Sequence, residues 1–275
     1  MRRPARVSWV ALGAICACFG LASGVARAAS HGDFITAYQK PETPDYTVFY
    51  EEMRREHFLE NVAQELNRVL DLPATVMLRM AECGHSTTRW SPETRMVTIC
   101  YEFLDAALVI AGQAQGQPGG SSGKSEQLFS GAVTFALFNE VGQALVSLYN
   151  LPVPQGAEHA GEEFAAITLA ASEQDGDTSA ASALEFFETA LRQPDSGFEY
   201  LETHEFTRAR LETIACLLYG NMPANHAQAL ARGLVTAERA PHCGDELLAV
   251  AKAWDGYLRD HPHAASPPPP AARGR

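Results

Sequence analysis

Positive charge is in short supply in this 275-residue sequence. Lys and Arg total 21 against 33 Asp and Glu, a formal net charge of −12. The first 28 residues hold four of the Arg and no acid, so without them the chain stands near −16. That balance argues against nucleic acid and anionic membrane surfaces as partners, and favours solubility. No internal repeat is visible, and beyond the first 28 residues no apolar stretch reads as long enough to span a bilayer. A phosphate-binding loop is also missing. Gly123-Lys124-Ser125 matches its end, but Pro118 occupies the first Gly position and no strand leads directly into it.

The start of the chain reads as a secretory leader. Arg2, Arg3 and Arg6 form a basic region, Val7 to Val25 an apolar one, and Ala26-Arg27-Ala28 an Ala-x-Ala cleavage site. The expected organisation is a signal peptide over 1–28, one domain over 29–263 and a disordered Pro-rich tail over 264–275. The destination is the bacterial periplasm or the outside of the cell. Cleavage removes Cys16 and Cys18 and leaves Cys83, Cys100, Cys216 and Cys243. An even count in an exported chain reads as disulfides. Four cysteines allow three connectivities, and the local one, Cys83–Cys100 with Cys216–Cys243, is expected here. Each closed loop contributes about 3 kcal/mol in the chain-entropy treatment. Paired cysteines leave no thiol nucleophile.

Along the chain, Ala29 to Pro44 is polar and reads as loose, and Tyr46 to Leu70 as one amphipathic helix. Ala74 to Met80 and Arg95 to Cys100 alternate as strands, joined by a polar connection with Gly84 and Ser91-Pro92. They are expected as a long-looped antiparallel hairpin. A helix over Tyr101 to Ala111 and a flexible loop over Gly112 to Lys124 follow. Further helices are expected over Glu158 to Ala171, Ala180 to Arg192, His204 to Tyr219 (with Gly220 as its stop), Ala224 to Leu234 and Cys243 to His261. The fold class is therefore α+β, a helix-dominated single domain with a small antiparallel sheet.

Between the loop and the later helices runs the segment that carries chemistry. Leu128 to Leu148 is apolar at helical spacing, through Phe129, Val133, Leu137, Val141, Ala144 and Leu145. Asn139, Glu140 and Gln143 interrupt it. Asn139 and Gln143 are four residues apart and project from one face, with Glu140 beside them. That is the geometry of H-E-x-x-H, in which two His hold zinc and the Glu is general base. Both histidines are missing.

Several blocks together resemble a bacterial family of unknown function grouped with metallopeptidases of the gluzincin, zincin-like type. They are Ala81 to Gly84 with Val97 to Glu102, Phe138 to Leu145 running on to Val153, Glu158 to Ala166, and Cys216 to Gly220 with Gly233 to Cys243. The resemblance covers roughly residues 46 to 258. It implies a strand layer against the motif helix and an acidic third ligand from the next helix. Asn139 and Gln143 then stand in the two His positions and Glu140 in that of the general base. Glu158 and Glu162 match an E-x-x-x-D pair, with Glu158 as ligand and Glu162 as supporting acid. His204 matches a His regular in the family.

Asn and Gln offer zinc only neutral amide oxygens, poor partners for that ion. Three readings of the site stay open. Substitute ligands such as His159 or His204, with Glu158 and Glu162, hold zinc; or Asn139, Glu140, Gln143 and Glu158 hold Ca²⁺ or Mg²⁺ through oxygen; or the polar groups form a buried hydrogen-bond network. The last leads, with no cofactor expected and zinc only if the protein is active. The corresponding function is a catalytically silent family member that binds a peptide or protein. An active zinc peptidase and a purely structural domain are the alternatives. His85 and His226 read as exposed loop or helix-end residues.

Overall fold

The computed structural model describes residues 32–113, 122–171, 176–193 and 196–259. The leader, the middle of the Gly/Ser loop and the Pro-rich tail lie outside them. Four strands form one sheet in the order β1-β2-β4-β3, with β1 Phe34–Tyr38, β2 Val76–Ala81, β3 Thr88–Ser91 and β4 Met96–Cys100. β1, β2 and β4 run parallel, and β3 pairs antiparallel with β4. The fold is α+β and helix-dominated, as expected, but the sheet is mixed rather than antiparallel.

Two local corrections explain the difference. The polar stretch before Pro44 contains β1, whose Phe34 is buried. Its outer edge is closed by Asn67, which accepts from the Phe34 N–H at 2.7 Å and donates to the Phe34 carbonyl at 2.9 Å. The loop expected between two strands of a hairpin itself holds β3, so β4 pairs with β3 on one side and with β2, in parallel, on the other. In that register Ala81 lies opposite Cys100, and the Cys83–Cys100 bond joins the two strand ends.

The helices are α1 Thr47–Arg55, α2 Phe58–Val69, α3 Tyr101–Gln113, α4 Ser122–Tyr149 and α5 Ala157–Ala171. They continue as α6 Gly176–Leu191, α7 Tyr200–Thr203, α8 Arg208–Asn221, α9 Ala227–Ala231 and α10 Cys243–Arg259. The single helix expected over Tyr46 to Leu70 is two, broken where His57 takes a left-handed conformation (φ 52°). The helix expected from His204 begins only at Arg208. Glu205 has φ 49°, and Thr207 is the N-cap, its side chain accepting from the Arg210 N–H. Gly220 is not a stop but lies inside α8, where the Cys243 carbonyl would come within 2.3 Å of any Cβ. The adjoining Cys216–Cys243 bond ties α8 to α10. Two disulfides belong to an oxidising, extracytoplasmic environment.

α4 is the axis of the domain. From Leu128 to Val146 its apolar residues are all buried, because α3, α5, α6, β3 and β4 surround it. A helix apolar all round is a core helix. Gly123–Tyr149 is also long and apolar enough to cross a membrane by length and composition, contrary to the sequence expectation, and 89% of its most apolar window is buried in protein. α5 crosses α4 at nearly backbone contact. A Cβ on Gly142 would lie 2.8 Å from the Gly161 Cα, and one on Gly161 would lie 2.3 Å from Asn139 Oδ1. That approach brings the first turn of α5 over Gln143.

Candidate functional site

Asn139, Glu140 and Gln143 sit at mid-height on α4, where β3, α5 and the turn after α7 converge. All three are buried, and the Glu140 side chain is 0% exposed. A carboxylate so placed must find donors. Glu140 Oε1 accepts from the Thr88 hydroxyl at 2.6 Å, and Oε2 from the Trp90 backbone N–H at 2.5 Å. His204 Nε2 lies 3.2 Å from Oε1. Burial pushes the Glu140 carboxyl up to about 7, against the opposing pull of His204 and Thr88.

β3 is an edge strand, and its unpaired backbone groups face α4 and the turn after α7. Glu140 takes the Trp90 N–H, and the Thr88 carbonyl accepts from His204 Nε2 at 3.1 Å. An edge closed by side chains in this way offers no free ladder to another chain at these residues.

His204 joins the two carboxylates. Its Nδ1 is 2.9 Å from Glu158 Oε2, and its Nε2 faces Glu140 and the Thr88 carbonyl. Both nitrogens meet acceptors only, so the ring is satisfied as an imidazolium. Burial works against that charge, but the Glu158 hydrogen bond and the charges of Glu140 and Glu158 outweigh it and raise the pKa. The Tyr200 ring packs on the imidazole with centroids 4.2 Å apart, and its hydroxyl accepts from Asn139 Nδ2 at 3.0 Å. Gln143 Nε2 donates to Glu158 Oε2 at 3.2 Å.

Glu158, Gln143, Glu140 and His204 are thus brought together, as Asn139 is through Tyr200. Glu162, one turn along α5, turns elsewhere. It is buried against Arg210, whose Nε donates to Oε2 at 2.9 Å, and burial pushes its pKa up to about 7 although the guanidinium opposes this. Arg210 also donates through Nη1 to the backbone carbonyls of His204 and Glu205, so Glu162 helps to fix the turn that carries His204. His159 stands apart and pairs with Glu163 in its own helix at 3.3 Å. His85 is exposed, beside Glu199. His226, expected at the surface, is buried at 3% exposure at the start of α9.

Thr88, Trp90, Tyr200 and Arg210 complete the site, and sequence reasoning missed all four. The alternation of Thr88-Arg89-Trp90-Ser91 is a strand signal hidden in a polar connection, and Tyr200 precedes His204 by one helical turn. Arg210 carries no local signal.

A tightly bound zinc needs imidazole, thiolate or carboxylate donors converging at about 2.0–2.3 Å. Here the amide nitrogens of residues 139 and 143 are spent on Tyr200 and Glu158, and Asn139 Oδ1 faces the Gly161 backbone. Among the described residues, the sets of three Cys, His or acidic ligand atoms within 4.8 Å of one another are Cys83–Cys100–Glu102 and Cys216–Cys243–Glu246. In both the sulfurs are already bonded to each other. Glu140, Glu158 and His204 form no such set, so the donors present do not fit zinc.

The family described as "Putative metallopeptidase" matches residues 38–258, most of the chain. The chain belongs to this family. No curated protein and no solved structure matches it. The matched span runs from the end of β1 to the end of α10, so it covers α4, the edge strand β3 and the turn that carries His204 together.

Proposed function

We propose that this is an exported, catalytically silent member of the metallopeptidase family. Its Asn139 and Gln143 stand where a zincin-type H-E-x-x-H carries its two zinc-binding histidines, and the remnant motif has become a structural joint. One observation carries the reading: both Glu140 oxygens are bonded to β3, and the side chain has no exposed surface. A general base must reach the proton it abstracts, directly or through one water. Glu140 reaches neither solvent nor substrate. The joint locks α4, β3, α5 and the His204 turn to one another.

A peptide- or protein-binding role fits the same reading on the α5 side, because the Glu158 side chain is 39% exposed while its partners are buried. The leader over 1–28, with cleavage after Ala28, puts the mature protein in the periplasm or outside the cell. Two measurements test the proposal. Purified mature protein should hold no stoichiometric zinc and cleave no member of a mixed peptide pool. One zinc per chain that disappears in Glu158→Ala, or hydrolysis lost in Glu140→Gln with the fold intact, would overturn it. Mass spectrometry of the exported protein should give Ala29 as the first residue.

A further inference from the structure

The sheet has two faces, and the described helices cover one of them. On the side toward α4 and α2, Leu78, Val97 and Ile99 are 0% exposed. Thr88 of that face bonds Glu140 of α4, and Thr36 and Tyr38 bond Glu60 of α2. The strand registers set the alternate residues on the opposite face. There Ile35, Met77 and Met96 form a row across β1, β2 and β4, and Arg79 and Arg89 flank Thr98 in the next row. Ile35 is 45% exposed, Arg89 is exposed, and Met77, Met96 and Arg79 are half-buried. Parallel strands such as β1, β2 and β4 are normally covered on both faces. This face lacks its layer.

Its charge indicates what the layer is. Cations elsewhere in the chain are held by acids, as Arg210, Arg232 and Arg239 are by Glu162, Glu188 and Glu246. Arg79 and Arg89 have neither an ion pair nor a side-chain hydrogen bond among the described residues, and Arg79 Nε is buried without an acceptor. No acid stands in either row. Asp33 and Glu93, at the strand ends, are exposed, and Glu93 accepts from the Ser91 hydroxyl at 3.2 Å. We propose that this outer sheet face docks an acidic amphipathic helix of another protein. Its apolar stripe covers Ile35, Met77 and Met96, and its carboxylates meet Arg79 and Arg89.

The dimensions suit a helix. Arg79 and Arg89 stand two strands apart, about 10 Å, which matches two turns of helix, so acids at i and i+7 reach both. The arginine row and the apolar row are about 7 Å apart, within the width of one helix. A strand would add at an edge instead, and the edges are closed by Asn67 at Phe34 and by Glu140 and His204 at β3. Two copies of this chain packed through the face would gather four guanidiniums with no carboxylate in either row. The face lies across the sheet from Glu140, so the proposal goes beyond the reading of the motif and does not depend on it.

The test uses the mature, oxidised protein and three labelled helical peptides that share one Leu/Met stripe and carry Glu, Gln or Lys beside it. By fluorescence anisotropy the Glu peptide should bind about 10-fold tighter than the Gln peptide, the size expected of two partly exposed ion pairs. The Lys peptide should bind more weakly than either. Arg79→Met with Arg89→Gln keeps the stems that flank Thr98 and should make the Glu and Gln peptides bind alike. If that variant fails to fold by circular dichroism, Arg89→Gln alone, at an exposed position, should remove about 3-fold of the preference. Binding of none of the peptides, or equal binding of all three, would refute the proposal. A preference for Glu that survives the loss of both arginines would do the same. Capture of phosphatidylglycerol vesicles in place of the Glu peptide would make the occupant a lipid surface, and a dimer in sedimentation that Met77→Asp dissociates would make it a second copy. Either result replaces the helix and overturns the assignment. Zinc content and peptide hydrolysis, which test the proposed function, are read separately.

Discussion

Replacing Glu140 by Gln separates a structural carboxylate from a catalytic one by the sign and size of a single number. The side chain keeps its shape, but one acceptor oxygen becomes an NH₂ donor and the charge is lost. Every neighbour of Glu140 within reach is a donor: the Thr88 hydroxyl, the Trp90 N–H and His204 Nε2. With the amide oxygen kept on the Trp90 N–H, the NH₂ meets the Thr88 hydroxyl, which can turn to accept, and His204 Nε2, which loses its carboxylate acceptor. Losing one partner of a buried hydrogen bond costs about 1–3 kcal/mol. Removing one member of a buried ion pair costs about 3–5 kcal/mol when the other stays charged, and Glu158 still partners His204 here. Glu140→Gln should therefore destabilise the domain by about 2–4 kcal/mol. At roughly 2–4 °C per kcal/mol for a domain of this length, the melting temperature should fall by about 4–16 °C. Urea unfolding followed by tryptophan fluorescence at neutral pH, with the disulfides kept oxidised, measures it directly, and Trp90 on β3 is a local reporter. A catalytic carboxylate held for function behaves oppositely, and its amide variant folds as well as the parent or better. A change within about 0.5 kcal/mol would refute the structural account of Glu140.

Other perturbations follow from the same contacts. Gly161→Ala forces a methyl group to within 2.3 Å of Asn139 Oδ1 and 2.6 Å of the Asn139 carbonyl. It should cost about 1–3 kcal/mol or more in thermal unfolding, with the α4–α5 crossing pushed apart. Removing the disulfides pairwise to Ser should cost about 3 kcal/mol for Cys83–Cys100 and about 3.5 kcal/mol for Cys216–Cys243, from loops of 17 and 27 residues. Comparing the two double variants by denaturant midpoint checks both size and order. Stability should also fall as pH rises. Glu162 and Glu140 have folded pKa values raised from 4.5 to about 7, and that of His204 is raised as well. Each holds its proton more tightly folded than unfolded. The contribution of the two carboxyls is full below about pH 4.5 and is lost as pH climbs through about 7, and that of His204 is full below about 6.5 and is lost as pH rises through its raised folded value. Melting temperatures measured from pH 5 to pH 8 should decline, and Glu162→Gln should flatten that decline.

Much of the helical framework is legible in local pattern. The 3.6-residue period of Leu128 to Leu148, the caps and stops, and the apolar faces of α5 and α10 lie within a few residues of one another. Both disulfides are the pairing that sequence proximity favours among Cys83, Cys100, Cys216 and Cys243. The Cys83–Cys100 expectation even carried a clue to the sheet. A bond joining the C-terminal ends of two neighbouring strands suits a parallel pair, because in a hairpin the end of one strand lies beside the beginning of the next. The mixed sheet and the bond agree.

The sequence by itself determined that a buried helix carries Asn139, Glu140 and Gln143 as neighbouring polar side chains in an otherwise apolar segment. Burial of an apolar period is a local property, and so is the spacing of three side chains on one helix. Only the tertiary structure decided what those side chains do. Glu140 finds Thr88 and Trp90 across 52 and 50 residues, and Asn139 finds Tyr200 across 61. His204 reaches Glu158 across 46, from a turn that sequence reading had placed inside a helix. Such partners are set by how the sheet edge and helices stack, through hydrogen bonds that a buried polar group must make somewhere but whose address no local pattern encodes.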